Sequence, residues 1–446
     1  MYNAHNKTSL RAIFSGVWCG GGWIRDGRGS RAAGWLGVIL DRPYPGATGP
    51  SRSAGGPANG WSLGPFGVCN YDGPETIRAR KYATGTHVLL QEIGVETGAT
   101  PREVVWSRNK TRLYRYRSPG EREGRGVGER RPVPVLLVYG FVLKPYVLDL
   151  VPGNSLVEYL VGEGFDVFML DFGISGAEDA GLTLEDFVLD YMHGAVDKVV
   201  ETSGAGGVSL FGQSQGGTLC AMYASLFPEG PVKNLVLLSA PTEFAPRNPG
   251  PLGLWTHASR NGGTFFDPAV VPLFFGNLPT DLASSFINTA ASLQATGVGM
   301  ATRSVAFGLY DAALREVRAL AGRDVSLRSW LAVSKWVDDA APFPGETFSR
   351  WVRRDFYQRD RLVKGQVELR GRRVDLSNIR CPVLNISGKW DYVVPPSQTE
   401  ATTVLAGSRD KESVSLDAGH VGMLVGPGAA DLGPRVRDWL APRSLR

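Results

Sequence analysis

Residues 208–224 read VSLFGQSQGGTLCAMYA, and this stretch decides the fold. Its first residues have the apolar character of a buried strand, and the run after Gly217 predicts a helix that begins at once. Between them, Gly212–Gly217 matches the G-x-S-x-G pattern, in which a sharp strand-to-helix turn exposes a serine above a sheet. Such a turn needs glycines because the serine backbone is strained and neighbouring segments approach it closely. The pattern predicts that Ser214 is a nucleophile.

A second match to the same pattern, Gly60–Gly64, lacks this context. It follows the residues Pro-Ala-Asn and is followed directly by Pro65, so we interpret Ser62 as incidental. Cys220 is a further nucleophile candidate close to Ser214. It lies six residues into the predicted helix and not at the exposed start of that helix, which argues against it.

Strand-like and helix-like stretches alternate along most of the chain around this turn. Short apolar runs are typical of strands buried on both faces, and the longer stretches between them are typical of helices. The alternation predicts the α/β class, with a mostly parallel sheet and helices on both of its faces. The predicted strands are a short hairpin at 104–106 and 111–117, then 134–139, 165–170, 208–211, 232–239, 381–387 and 413–416, and the predicted helices are 155–162, 184–202, 215–227, 397–405 and 432–440.

The alternation is interrupted once, and this predicts the division of the chain. Residues 1–73 form a Gly-, Pro- and Arg-rich arm that we expect to be disordered or poorly ordered, because it has little apolar surface to bury. Whether this arm is translated or functional is left open. Residues 74–242 and 379–446 form the two parts of the α/β core, and residues 243–378 form a largely helical cap or lid inserted between them.

The net positive charge of the chain comes entirely from the arm. The chain has 48 Lys and Arg against 43 Asp and Glu; residues 1–70 hold seven of the former and two of the latter, which leaves 41 of each in residues 71–446. This balance argues against nucleic-acid binding by the folded part. No apolar run approaches the ~18 residues needed to span a bilayer, so no membrane span is predicted.

The four cysteines are widely spaced and form no metal-binding pattern with histidine. A reducing, cytoplasmic location is therefore the expectation. The sequence also has no Walker A loop and no G-x-G-x-x-G after a strand. We expect no metal and no cofactor.

A nucleophilic serine needs a base and an acid that orients the base. His420 follows the last predicted strand, where the chain order Ser, Asp, His places the base. Asp391 follows the strand before it, 29 residues earlier, and is our predicted acid. Asp171 also ends a strand and is the second candidate, and Asp417 is interpreted as a turn residue. The other histidines lie in the arm, before the core, within a predicted helix and in the cap: His5, His87, His193 and His257.

Two backbone N–H groups are needed to stabilise the oxyanion that forms during acyl transfer. Gln215, directly after the nucleophile, supplies the first in this interpretation. The loop Gly140–Leu143 after the first core strand supplies the second, with Val142 as the predicted donor, although this loop could equally serve ordinary apolar packing. The predicted chemistry is acyl transfer through a covalent acyl-serine.

Several stretches resemble the catalytic subunit of polyhydroxyalkanoate (PHA) synthase, most closely its shorter, two-subunit class III. The resemblance implies an α/β-hydrolase fold with a lid and hydroxyacyl-CoA thioesters as substrates, with coenzyme A entering only as part of the substrate. It gives Asp391 and His420 the same acid and base roles. The stretches are 98–101 (GATP), 113–116 (LYRY), 145–150 (PYVLDL), 165–168 (FDVF), 345–348 (GETF), 355–357 (DFY), 381–385 (CPVLN), 394–396 (VPP) after Asp391, and 419–422 (GHVG).

The chain departs from the family pattern at the nucleophile, where the resemblance implies cysteine and the sequence has Ser214. A Cys–His pair holds a reactive thiolate, whereas serine must lose its proton during attack. Three hypotheses follow. The chain is a polyester-forming acyltransferase, a serine esterase, thioesterase or hydroxyalkanoate oligomer hydrolase, or a non-catalytic member that binds granules or a synthase partner. Occupation of all three catalytic positions argues against the last.

The resemblance also bears on partners. A second synthase subunit, a homodimer and a polyester granule surface are all compatible with the sequence, and the acyl chain length is left open. Five aromatic residues of the cap could line an acyl or granule surface, but packing within the cap itself is the simpler interpretation. These residues are Trp255, Phe265, Phe266, Phe274 and Phe275.

Overall fold

The computed structural model describes most of the α/β core and parts of the remaining chain. The five cap aromatics, and His5, His87 and His257, lie outside the described residues. The described residues are 61–63, 69–71, 97–117, 130–244, 276–278, 328–329, 332–333, 335–336, 339–391, 393–425 and 428–444.

The chain divides into two compact units, Met1–Gly85 and Thr86–Arg446. In the first unit, Trp61–Leu63 pairs with Cys69–Tyr71 as a short antiparallel hairpin. Ser62 lies within the first of these strands and not at a strand-to-helix turn, which agrees with its interpretation as incidental.

The second unit is built on one eight-stranded sheet. In chain order its strands are β1 Arg102–Arg108, β2 Thr111–Tyr116, β3 Val135–Val138, β4 Val167–Asp171, β5 Val208–Gln213, β6 Val232–Leu238, β7 Val383–Gly388 and β8 Lys411–Leu416. Across the sheet the order is β8-β7-β6-β5-β3-β4-β2-β1. Strands β3 to β8 run parallel to one another, and β2 pairs antiparallel with both β1 and β4. The prediction of an α/β fold with a mostly parallel sheet is confirmed.

Helices cover both faces of this sheet. Ser155 caps the first of them, where its hydroxyl accepts a hydrogen bond from the Glu158 backbone N–H at 2.9 Å. None of the described helices is long and apolar enough to cross a membrane. The α-helices are α1 Leu156–Gly162, α2 His193–Ser203, α3 Gln215–Leu226, α4 Gly345–Ser349, α5 Pro396–Leu405, α6 Gly422–Val425 and α7 Ala429–Leu440.

The core consists of two apolar clusters, one on each face of the sheet. Successive strand residues alternate between them: Leu136 and Leu210 belong to the cluster beneath α3, whereas Leu137 and Phe211 belong to the cluster beneath α1 and α7. Every residue of β3 and of β5 is buried, as expected for central parallel strands covered on both faces.

Two segments differ from the regular pattern that the sequence suggests. Asp186–Met192, expected as the first part of one helix, winds as a π-helix before α2 begins. The last part of the insertion, from Gly345 onward, also packs onto the sheet, in the cluster beneath α3, with Trp351 and Phe356 among its fully buried side chains. This part includes a small hairpin at 367–374. The division into core and cap stays a prediction, but the described end of the insertion is part of the layer that covers the core.

Candidate active site

Ser214 occupies the turn between β5 and α3. Its backbone has φ 51° and ψ −125°, and such a positive φ is unusual for a residue with a Cβ. Two hydrogen bonds hold it there: the Ser214 N–H donates to the Leu238 carbonyl at 2.9 Å, and the Ser214 carbonyl accepts from the Gly217 N–H at 2.9 Å. Such strain persists only where the surrounding structure imposes it, and it is common at functional sites.

The glycines around Ser214 are required by close packing. A Cβ atom on Gly212 would lie 2.5 Å from the Cα of Gly217, and one on Gly216 would lie 2.2 Å from the Val138 carbonyl oxygen. The first turn of α3 therefore rests directly on the ends of β5 and β3. This contact gives the physical reason for the glycine pattern in the sequence.

Asp391 and His420 form a direct pair at the ends of neighbouring strands. The distance between Asp391 Oδ2 and His420 Nδ1 is 2.7 Å, and the two residues are 2% and 6% exposed. The other carboxylate oxygen, Oδ1, accepts hydrogen bonds from the backbone N–H groups of Val393 at 3.0 Å and Val394 at 2.8 Å. Because Nδ1 donates to the carboxylate, the second ring nitrogen, Nε2, is left as a proton acceptor.

The sheet order brings these residues to one edge. Ser214 follows β5, Asp391 follows β7 and His420 follows β8. Strands β5, β6, β7 and β8 lie side by side in the sheet and run parallel, so all three residues lie at the carboxyl ends of these strands. Ligands and reacting groups bind at this carboxyl end of parallel sheets. The structure places a strained serine and a buried carboxylate–imidazole pair at the same edge.

The other acid candidates have different partners. Asp171, at the end of β4, accepts a hydrogen bond from the Gly173 N–H at 2.9 Å. Asp417 accepts from the indole Nε1 of Trp390 at 2.5 Å, in the turn after β8. Among the described carboxylates, the one that pairs with His420 is that of Asp391.

The remaining described histidine, His193, is partly exposed, whereas the alternative nucleophile, Cys220, is buried. His193 Nδ1 lies 3.0 Å from the hydroxyl of Tyr223, and the His193 ring stacks on Phe227. Cys220 is fully buried in α3, and burial raises the pKa of its thiol. A thiol with a raised pKa holds little thiolate, so Cys220 is poorly suited to act as a nucleophile.

The predicted oxyanion loop lies beside the residue that follows the nucleophile. A Cβ atom on Gly140 would lie 2.5 Å from Oε1 of Gln215, so the loop and the start of α3 are in close contact. Phe141 anchors the loop because its ring is 2% exposed and stacks on Phe187 at 4.7 Å. The Val142 carbonyl accepts a hydrogen bond from the Ala341 N–H at 2.6 Å. The donor role of Val142 stays a prediction.

Sequence reasoning missed Trp390, which joins the loop of the acid to the loop of the base. Its indole donates to Asp417, and its backbone N–H donates to the Ala418 carbonyl at 3.1 Å. The position of Trp390 directly before Asp391 is the signal that could have identified it. Within the described ranges, no group of three or more His, Cys, Asp or Glu side chains could hold a metal ion.

Comparison with known proteins identifies the family. The model of the α/β hydrolase fold family matches residues 133–427. Three proteins named poly(3-hydroxyalkanoate) polymerase subunit PhaC are similar to the chain. The protein from Synechocystis is 34% identical over 81% of this chain and 90% of its own length, and that from Allochromatium vinosum is 33% identical over 82% and 95%. The protein from Haloferax mediterranei is 34% identical over 78% of this chain, which spans 65% of that relative's length.

The matched range of the fold family includes Ser214, Asp391 and His420. The sheet order, the strained turn and the residue similarity thus agree. The chain belongs to the poly(3-hydroxyalkanoate) polymerase PhaC family, within the α/β hydrolase fold.

Proposed function

We propose that the chain is an acyltransferase that builds polyester from (R)-3-hydroxyacyl-CoA. In this proposal Ser214 carries the acyl group, His420 moves the proton, and Asp391 orients His420. The observation that carries the proposal is the buried 2.7 Å contact between Asp391 and His420 at the same sheet edge as the strained Ser214 turn. The similarity to PhaC proteins supports the choice of substrate class.

The first half-reaction transfers the acyl group from sulfur to oxygen. His420 Nε2 accepts the proton of the Ser214 hydroxyl while the oxygen attacks the thioester carbonyl, and the oxyanion that forms is held by backbone N–H groups. The backbone N–H groups of Gln215 and Val142 are our proposed donors. The C–S bond then breaks, and the coenzyme A sulfur leaves with the proton from His420.

The second half-reaction passes the acyl group to a hydroxyl. The hydroxyl at the end of a growing chain gives its proton to His420 Nε2 and attacks the acyl-Ser214 ester. The ester bond to Ser214 breaks, and Ser214 takes back a proton from His420. Coenzyme A takes part only as a portion of the substrate, and we propose no other cofactor.

Hydrolysis is the second candidate, and Ser214 itself favours it. An acyl-serine is an oxyester, so transfer to water and transfer to another hydroxyl use the same groups and the same steps. A serine esterase or thioesterase, or a hydrolase of hydroxyalkanoate oligomers, would therefore need no change in the described site.

The test uses the purified full chain with 3-hydroxybutyryl-CoA and follows two quantities together. Coenzyme A release is measured with a thiol reagent, and product size is measured by chromatography and mass spectrometry. Polymer that grows with coenzyme A release is the expected result. Free 3-hydroxybutyrate without any polymer would overturn the synthase proposal and support hydrolysis.

Two variants control for the nucleophile. Ser214→Ala should abolish coenzyme A release and leave no acyl adduct in the intact mass, because the attacking oxygen is gone. Cys220→Ala is the matched control for the other nucleophile candidate and should retain activity within about twofold, since it removes only a buried thiol. An unchanged rate in Ser214→Ala would contradict both enzymatic candidates.

The word "subunit" in the names of the relatives bears on assembly. We propose that the chain acts with a second synthase subunit or as a homodimer, and that it associates with a polyester granule surface. The molar mass of the purified chain by light scattering tests self-association. Binding to prepared polyhydroxybutyrate particles tests granule association, with the Ser214→Ala variant separating surface binding from turnover.

A further inference from the structure

A short stretch at the end of the insertion is tied to the loop that follows β3. We call Lys335, Trp336, Asp339 and Ala341 the return residues, and residues 139–146 the oxyanion loop. The first tie joins two backbones: the Ala341 N–H donates to the Val142 carbonyl at 2.6 Å. Its effect is local, because it fixes the orientation of the peptide that follows Val142.

Trp336 supplies the second tie. Its indole Nε1 donates to the carbonyl oxygen of Lys144 at 2.7 Å, and its ring meets that of Tyr139 edge-on with the centroids 6.1 Å apart. Trp336 is only 2% exposed. One buried side chain therefore contacts the loop both at its start, at Tyr139, and two residues beyond Val142.

Asp339 supplies the third tie. The Tyr146 hydroxyl donates to Asp339 Oδ2 at 2.7 Å, and the Lys335 ammonium is paired with the same carboxylate. The Lys335 nitrogen also lies 5.2 Å from the centroid of the Tyr146 ring. The far end of the oxyanion loop is thus held by charged and polar groups, whereas its middle is held by Trp336 and Ala341.

The opposite side of the loop rests on the nucleophile turn. Gly140 lies so close to Gln215 that a Cβ atom would sit 2.5 Å from Oε1 of that side chain. The oxyanion loop is therefore held between the start of α3 on one side and the return residues on the other. A loop held in this way cannot move its backbone N–H groups without breaking at least one of these contacts.

We propose that Trp336 is a positioning residue for the oxyanion hole. Its ring and its Nε1 hold the oxyanion loop so that the loop's backbone N–H donor faces the oxygen on which negative charge develops. Oxyanion donors act because they are preorganised, so a looser loop stabilises the transition state less while ground-state binding is little changed. The inference rests on the acyl-serine chemistry proposed above but not on the identity of the acyl acceptor.

Trp336→Phe should lower the rate less than the removal of an oxyanion donor would. Removal of one oxyanion donor typically costs about 10²–10³ in rate. Trp336→Phe keeps the donor and keeps a buried ring but removes the Nε1 hydrogen bond, so we expect a loss of roughly tenfold. Tyr146→Phe removes the hydroxyl that donates to Asp339 and accepts from Lys335 at the far end of the loop, and we expect roughly a threefold loss.

The experiment measures the reaction of Ser214 with a fluorophosphonate in the full chain. The serine oxygen attacks phosphorus, the phosphoryl oxygen enters the oxyanion hole, fluoride leaves and His420 takes the serine proton. Intact mass spectrometry gives the maximal rate of labelling, kinact, and the half-saturating concentration, KI. We expect Trp336→Phe to lower kinact roughly tenfold and to leave KI within about twofold, because ground-state binding does not use the oxyanion hole.

Trp439→Phe is the matched control. Trp439 is also buried, at 4% exposure, but it lies in α7 and its indole nitrogen has no hydrogen-bond partner among the described residues. Amide hydrogen exchange over residues 139–146 is the second readout, and it should increase in Trp336→Phe and not in Trp439→Phe. Near-ultraviolet circular dichroism reports whether each variant is folded, and Tyr146→Phe carries the test if Trp336→Phe does not fold.

The outcomes separate this inference from the proposed function. Equal kinact values in Trp336→Phe and Trp439→Phe, or unchanged exchange in the oxyanion loop, would overturn the positioning role. If Trp336→Phe lowers kinact and raises KI by the same factor, the damage is general. This result would also overturn the positioning role. A wild-type chain that is not labelled at Ser214 would contradict the nucleophile itself, whereas normal labelling without polymer would contradict only polyester synthesis.

Discussion

Replacement of Asp391 by asparagine separates the geometry of the acid–base pair from its charge. The carboxylate has two distinct oxygens in the structure. Oδ1 accepts from the backbone N–H groups of Val393 and Val394, and Oδ2 accepts from His420 Nδ1 at 2.7 Å. An amide of the same shape must place its oxygen on one side and its NH2 group on the other.

The two backbone N–H groups decide this orientation. If the amide oxygen stays at the Oδ1 position, it keeps both backbone hydrogen bonds and its NH2 group faces His420. The opposite orientation would leave two buried backbone donors facing an NH2 group, at about 1–3 kcal/mol each. We therefore expect the NH2 group to face His420 Nδ1, which must then accept a hydrogen bond, so that the proton moves to Nε2.

A histidine protonated at Nε2 and neutral cannot accept the proton of Ser214. The same change of tautomer in serine triads lowers kcat by roughly 10⁴, which corresponds to about 5 kcal/mol of transition-state stabilisation. Coenzyme A release from 3-hydroxybutyryl-CoA measures the loss directly. The free energy of unfolding should change little, because Asp391→Asn keeps the shape of the side chain and its two backbone hydrogen bonds.

Asp171→Asn and Asp417→Asn are the controls: Asp171 ends β4 and Asp417 follows β8, and the described partners of the two carboxylates are Gly173 and Trp390. Both should retain kcat within a few-fold. A kcat for Asp391→Asn within tenfold of the wild-type value would refute the tautomer argument. A larger loss in Asp171→Asn than in Asp391→Asn would assign the acid role to the other strand.

Three further predictions concern packing and the buried groups. Gly216→Ala should prevent folding or lower the free energy of unfolding by several kcal/mol in urea titrations, because its Cβ would lie 2.2 Å from the Val138 carbonyl oxygen. Gly162→Ala should fold normally, because a Cβ there would have no atom of another described residue outside its own helix backbone within 4 Å. Arg350→Met should cost about 1.5–3 kcal/mol in the same titrations, since it removes the charged hydrogen bonds of Arg350 to Glu185 and to Asp355, which keeps Arg361 as a partner. Burial raises the pKa of the Cys220 thiol, so this thiol should react slowly in the native chain. The wild-type chain and Cys220→Ala should therefore have the same number of thiols that react quickly with a disulfide reagent. A difference of one thiol would contradict this.

The parts of the fold that the sequence predicts are those set by local pattern. Strands β3 to β7 are mostly buried apolar runs, and their bounds in the structure lie within about two residues of the predicted ones because burial on both faces leaves little choice of residue type. The Ser214 turn is equally local, since its glycines, the strand before it and the helix after it occupy one short segment. Asp391 and His420 could be selected because they directly follow predicted strands.

The contacts that link distant segments could not be predicted in this way. Trp336 lies 192 residues from Lys144, and nothing in the sequence around either residue indicates that they meet. The packing of Trp351 into the core has the same cause, because it depends on which face of the sheet the end of the insertion reaches. The π-helical turns at Asp186–Met192 also escape a periodicity analysis, which distinguishes periods near 3.6 from 2 but not a single widened turn.

Serine at position 214 and polyester synthesis are compatible on energetic grounds. Transfer of an acyl group from the thioester to Ser214 is downhill, and its transfer from the acyl-serine to another hydroxyl is close to neutral, so no step requires a thiolate. The outcome then depends on whether a hydroxyl chain end or water attacks first. Groups held in reacting geometry reach effective concentrations of about 10⁵–10⁸ M, far above that of any solvent, so a bound chain end would outcompete water. In our proposal the same loop holds the oxyanion of both half-reactions, so a well-held loop accelerates them together. The selection between polymer and free acid then rests on how the acceptor hydroxyl is bound.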